Sequence, residues 1–169
     1  MKLGKLSSIL ILGTTLTAIS QPSHAVPVDL ELLIGIDTSG SVTATDFNLR
    51  RSGIEAAFRD AGVISRIEGG SVGSIAVSMW DFSSDPTVVL DWTLISDSTS
   101  SNAFADAVAA APRGGTGIGD DQIQLLNDGL VSLNGNDFQG TRSVVDIVSE
   151  GAQSEAGCSS FTLDCGPLQ

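Results

Sequence analysis

Apolar residues crowd into a run from Leu30 to Ile36 that stops at the turn-prone segment Asp37-Thr38-Ser39-Gly40-Ser41. A run of that length with almost no polar alternation predicts a strand buried on both faces, as in a parallel sheet. Thr43 followed by Asp46 makes a capping-box-like start, and Phe47, Ile54, Phe58 and Ala61 then share one helical face. That periodicity predicts a helix over residues 44–60. Two β-rich runs, Ser74 to Phe82 and Thr87 to Leu94, flank Ser83-Ser84-Asp85-Pro86 and predict a hairpin. Trp80 and Trp92 are read as core aromatics across that hairpin, and Asp81 as a strand-end acid turned to solvent.

Phe104, Ala107, Val108 and Ala111 form another helical stripe, closed by Pro112. The glycine-rich loop Arg113-Gly114-Gly115-Thr116-Gly117-Ile118-Gly119 follows. Ile123, Leu126, Leu130 and Leu133 then mark a second long amphipathic helix, and Ser143 to Ser149 the last strand, ended by Gly151. The order β, α, β-hairpin, α, α, β predicts an α/β three-layer sandwich. Its sheet should be mostly parallel with one antiparallel edge strand, and helices should cover both faces.

The N-terminus changes this picture. Lys2 and Lys5 precede an apolar stretch from Leu6 to Ile19, and Ser23-His24-Ala25 supplies a small-x-small cleavage pattern. Residues 1–25 are therefore expected to be a signal peptide, exporting the chain to the periplasm or the cell exterior. Residues 26–151 are expected to form one domain, with an irregular tail over 152–169. No later segment has 18 consecutive apolar residues, so no membrane insertion is expected after cleavage. From Val26 onward six arginines face 20 acidic residues, a net charge of −14. A body so acidic repels nucleic acid and attracts cations.

Absences narrow the chemistry further. From Val26 to Gln169 there is no histidine and no lysine, and the cysteines are Cys158 and Cys165 alone. Histidine-based nucleophile systems, Schiff bases and phosphate-loop lysines are all excluded. A metal in the main body has to sit on oxygen, which favours Mg²⁺, Ca²⁺ or Mn²⁺. Ligands of open α/β sheets bind at the carboxyl ends of the strands. Asp37, Ser39 and Ser41, Thr116, and Glu150-Gly151 all fall there. The alternate spacing of Asp-x-Ser-x-Ser lets three oxygen-bearing side chains face one side of a turn, while Gly40 relaxes its backbone.

Asp37-Thr38-Ser39-Gly40-Ser41 after a buried strand, Gly114-Gly115-Thr116-Gly117-Ile118-Gly119-Asp120, and Glu150-Gly151 after a later strand together resemble the metal-ion-dependent adhesion site of von Willebrand factor A domains. More narrowly, the chain resembles an uncharacterised family of secreted bacterial proteins with that Rossmann-like fold. The supporting segments run in order from Val28 to Gly151. The resemblance implies that Ser39, Ser41 and Thr116 offer hydroxyls to the metal, with Asp37 acting directly or through water. It also implies an open coordination position for an acidic residue of a protein partner. A divalent ion on neutral hydroxyls is under-neutralised and draws such a carboxylate.

One position departs from the family, whose strand-end acid is normally Asp where this chain has Glu150. Asp146 lies four residues earlier, roughly 13 Å deeper along a strand, so Glu150 is the expected ligand. Asp120 and Asp121 read as first-turn acids favoured by the helix dipole, although the resemblance puts Asp120 near the rim. Cys158 and Cys165 are candidates for a small disulfide loop in an exported chain, the alternative being two free thiols.

These features predict a non-enzymatic, metal-dependent binding module of adhesion type. The rival expectations are a fragment with no working site and a metal-assisted hydrolase using the same carboxylates. The resemblance further implies that such domains continue past the acid-Gly pair, so the fold is expected to be incomplete at its C-terminus. An unpaired last strand beside uncovered apolar surface should make the chain unstable or aggregating when expressed alone. Size-exclusion chromatography with thermal melting checks this, and a monomer that melts cooperatively would contradict it.

Overall fold

The structure is a computed structural model that describes residues 25–150. The expected signal peptide up to His24 and residues 151–169, with Cys158 and Cys165, lie outside the described residues. The chain runs β1 (Val26–Val28), β2 (Leu30–Asp37), α1 (Ala44–Arg59), α2 (Ala61–Glu68), β3 (Ile75–Phe82), β4 (Thr87–Ile95), α3 (Ser98–Ala110), α4 (Gln122–Gly135), β5 (Phe138–Gly140) and β6 (Ser143–Val148). The main sheet has the order β4-β3-β2-β6. Strand β2 is parallel to both β3 and β6, while β4 returns antiparallel at one edge. The expected sandwich and its antiparallel edge strand are both present. The short strands β1 and β5, absent from the sequence reading, form a separate parallel pair.

Alternation along β2 builds two cores. Ile34 and Ile36 pack with Val77 and Met79 against Phe47, Phe58, Phe104 and Val108 of α1 and α3. Leu33 faces the other way and joins Trp80, Phe82 and Leu125, with Trp92, Val145 and Ile147 packed around them. The two tryptophans do share a core, and Trp92 Nε1 donates to Ser132 Oγ on α4 at 2.8 Å. One strand thus feeds both layers of helices, which is why its sequence is apolar at successive positions.

Three local expectations are corrected. The first helix ends at Arg59, because Asp60 both closes it and caps α2, accepting from the amides of Gly62 and Val63. Ala61 therefore starts a new helix and is exposed, off the apolar stripe. On α4 the buried residues are Leu125 and Gly129, whereas Leu126 and Leu130 are 45% and 59% exposed. Close approach decides this face: a Cβ on Gly35 of β2 would run into the Leu125 side chain, and one on Gly129 would meet Leu33 at 3.2 Å. The helix seats where two glycines let it come near, and the larger leucines point outward. Finally, Asp81 is buried and paired with Arg51 at 3.0 Å, far from the solvent-facing role expected of it.

Gly35→Ala puts a methyl group where Leu125 sits. It is expected to destabilise the fold by about 1–3 kcal/mol, the usual range for overpacking a well-filled core. Chemical denaturation with far-ultraviolet circular dichroism reads this directly, and an unchanged midpoint would mean that α4 does not seat on Gly35.

Candidate metal centre

Strand β2 delivers Asp37 to the carboxyl rim of the sheet, where it is only 1% exposed. Its Oδ1 accepts the amide of Ser39 at 2.8 Å, the local bond that closes the Asp-x-Ser turn. That turn sets the hydroxyls of Ser39 and Ser41 side by side, 3.1 Å apart. Thr38 points away from them and anchors the turn, its Oγ1 donating toward the carbonyls of Phe82 and Gly115, each at 3.0 Å. The amide of Gly40 donates to the Gly117 carbonyl at 2.9 Å. Thr116 lies between these two pinned glycines, with its side chain exposed. The first two of the three expected segments are therefore joined backbone to backbone.

The third segment arrives through Ser149. Its Oγ lies 3.1 Å from Asp37 Oδ2 and 3.3 Å from Asp120 Oδ2, so one hydroxyl bridges two carboxylates. Glu150, the expected strand-end ligand, is met by Arg50, whose Nη2 lies 3.5 Å from Oε2. The same guanidinium donates to the Asp37 carbonyl at 3.3 Å. Asp146 pairs with Ile34 well below the rim, in line with its expected depth.

Asp37, Ser39 and Ser41 are thus together, Thr116 is on the loop laid against them, and Glu150 is one ion pair away. Ser149 went unnoticed in the sequence because a serine at the end of a strand carries no distinctive signal. Asp120 did carry one, its place directly after the glycine loop, but its helix-start position gave an equally good reason for an acid there.

Burial and, after it, the negative charge of Asp37 push the Asp120 carboxyl above its ordinary pKa. Two carboxylates converge on a set of hydroxyls, which is the donor chemistry that suits a hard divalent cation. Among the described residues no group of three or more His, Cys, Asp or Glu side chains is placed to hold a metal. Coordination at this rim would therefore draw on neutral oxygens as well, the hydroxyls among them. The residues present fit the implied metal on those terms.

The raised pKa has a consequence for stability. The folded chain holds the Asp120 proton more tightly than the unfolded chain, so ionising Asp120 costs stability as pH rises through its folded value, and the cost is absent below its unfolded value. Asp120→Asn removes that charge at similar size. Without divalent metal, the variant is expected to melt above the parent chain at pH 7, with the gap closing as the pH is lowered toward the ordinary carboxylate range. A lower melting point at pH 7 would contradict the repulsion between Asp37 and Asp120.

The sheet is mostly parallel, with one antiparallel edge strand and flanking helices. Two solved structures from Porphyromonas gingivalis are similar to this chain. One contains three N-terminal domains of the type V pili tip protein Mfa5 (TM-score 0.49, 12% identity, 75% of this chain and 20% of that one). The other is the vWF domain of the same protein (TM-score 0.47, 13% identity, 76% of this chain and 40% of that one). The chain so spans well under half the length of either. No curated protein matches it in sequence. A family model covers residues 27–163, and the chain belongs to that family, described as Protein of unknown function (DUF1194).

Proposed function

We propose that this chain is a non-enzymatic protein-binding module of adhesion type, exported from the cytoplasm, that works through a bound divalent metal, Mg²⁺ or else Ca²⁺ or Mn²⁺. The single observation that carries this reading is the bridge from Asp37 through Ser149 to Asp120, beside the paired hydroxyls of Ser39 and Ser41. Asp37 and Asp120 would bring charge to the ion. Ser39, Ser41 and Thr116 would bring neutral oxygens, and Ser149 would orient the carboxylates. Glu150 would act from one shell out, through Arg50, or turn inward to replace a water.

The bound metal would supply the local positive charge that a partner's Asp or Glu side chain grips. The surroundings support a macromolecular partner over a small molecule. Ser41 and Thr116 are exposed at the rim, and Ile118 between them and Asp120 protrudes fully into solvent. Clefts of about 490 and 460 Å³ elsewhere on the molecule, beside Trp92 and Ile67 respectively, share no residue with this rim. Export is supported by the leader pattern, and no helix of the described residues is long and apolar enough to cross a membrane.

Isothermal titration calorimetry of the full chain with Mg²⁺, Ca²⁺ and Mn²⁺ tests the proposal. Saturable binding of at least one ion at a single site is expected, with the heat abolished in Asp37→Ala while circular dichroism stays native-like. Silence from all three ions would refute it.

A further inference from the structure

Arg113 stands at the entrance to the glycine-rich loop, immediately after the Pro112 that ends the α3 segment. Its side chain does not join any of the ion pairs among the described residues. Instead Nη2 reaches into the Asp-x-Ser-x-Ser turn, 3.0 Å from the Thr38 carbonyl, 3.0 Å from that of Val42 and 3.4 Å from that of Ser39. The guanidinium lies 4.9 Å from the centre of the Phe47 ring, a cation–π contact that fixes its plane. Its Nε is buried with no partner among the described residues, an unfavourable state that a shorter or neutral side chain would avoid.

We propose that Arg113 is the positioning residue of the metal centre. This inference rests on the metal reading above and concerns how the oxygen donors are held in place. Arg113 holds the carbonyls of Thr38, Ser39 and Val42 in the same turn that sets the hydroxyls of Ser39 and Ser41 side by side. Because it is rooted in the loop that carries Thr116, it makes both hydroxyl-bearing segments one body. The bonds from Thr38 to Gly115 and from Gly40 to Gly117 join the same segments. Arg113 adds the charge-assisted link, a kind of bond about twice as strong as a neutral one.

The test measures Mn²⁺ affinity by calorimetry on the full chain, together with thermal unfolding in EDTA. Arg113→Met keeps an apolar stem over Phe47 but no donors, and Arg113→Lys keeps a single ammonium. Arg59→Met, which breaks only surface pairs with Glu55 and Asp106, is the control. Arg113→Met is expected to bind Mn²⁺ on the order of 10–100-fold more weakly, as for other residues that orient metal ligands, with partial rescue by Arg113→Lys and parental affinity in Arg59→Met. A purely structural role would lower the metal-free melting point and leave the affinity of the folded protein unchanged, and that outcome overturns the inference. Should Arg113→Met fail to fold, Arg113→Lys decides: affinity equal to the parent overturns the inference, and weaker binding upholds it. A parent chain that binds no metal overturns this inference together with the reading it rests on, whereas a binding parent with an equally binding variant overturns this inference alone.

Discussion

Arg51 leaves α1 on its buried face and places its Nη2 3.1 and 3.0 Å from the two oxygens of Asp81 on β3. The same guanidinium donates to the carbonyls of Val108, Ala111 and Pro112, which end the α3 segment. Asp81 in turn accepts the amide of Gly114 at 2.7 Å. A helix, a central strand, the end of a second helix and the start of the glycine-rich loop are therefore held at one buried charge pair. Such a pair adds little net stability over an apolar replacement, but losing one partner strands the other and costs about 3–5 kcal/mol. Its value lies in placement. The free C-terminal carbonyls of α3 have no helical partners, and a buried cation is a fitting way to satisfy them.

The glycine-rich loop inherits its position from that junction. Gly114 is fixed by Asp81, so Arg113 and Thr116 on either side of it project from a defined point. Arg51 and Arg113 both lie 4.9 Å from the Phe47 ring, one facing the sheet and one facing the Asp-x-Ser-x-Ser turn. Asp121 closes the other end of the loop, its amide bonded to the Ser83 carbonyl and its side chain capping α4 at Gln124. Arg50, Arg51, Arg59 and Arg113 are thus committed to backbone carbonyls and to Asp81, Glu150 and surface acids. Asp37 and Asp120 are left facing each other across one serine hydroxyl. A divalent cation placed between them would relieve that repulsion.

Much of this was legible in the residues. Period and turn chemistry marked all four strands of the main sheet, α1, α3 and α4, and the antiparallel return of β4. The motif order brought Asp37, Ser39, Ser41 and Thr116 to one rim before any geometry was known. What escaped was set by tertiary contact. Apolar periodicity has no means of marking Arg51 or Asp81, because buried charges are rare and their partners lie 30 residues apart. The face of α4 was misjudged because close packing on Gly35 and Gly129 outweighs the size of Leu126 and Leu130. Ser149 and Glu150 are neighbours on alternate sides of a strand end, and the acid is the more conspicuous of the two. Only the register of β6 shows that the serine touches Asp37 while the acid meets Arg50.

The proposed site sets oxygens from three separated segments around one cation at the carboxyl rim of the sheet. Crystals of the chain grown with Mn²⁺ and measured for anomalous scattering test it most directly. One strong peak is expected within about 2.5 Å of oxygens from the Asp37–Ser41 turn, with Asp120 and Ser149 around it. A peak elsewhere on the acidic surface, or well-ordered crystals with none at this rim, would contradict it.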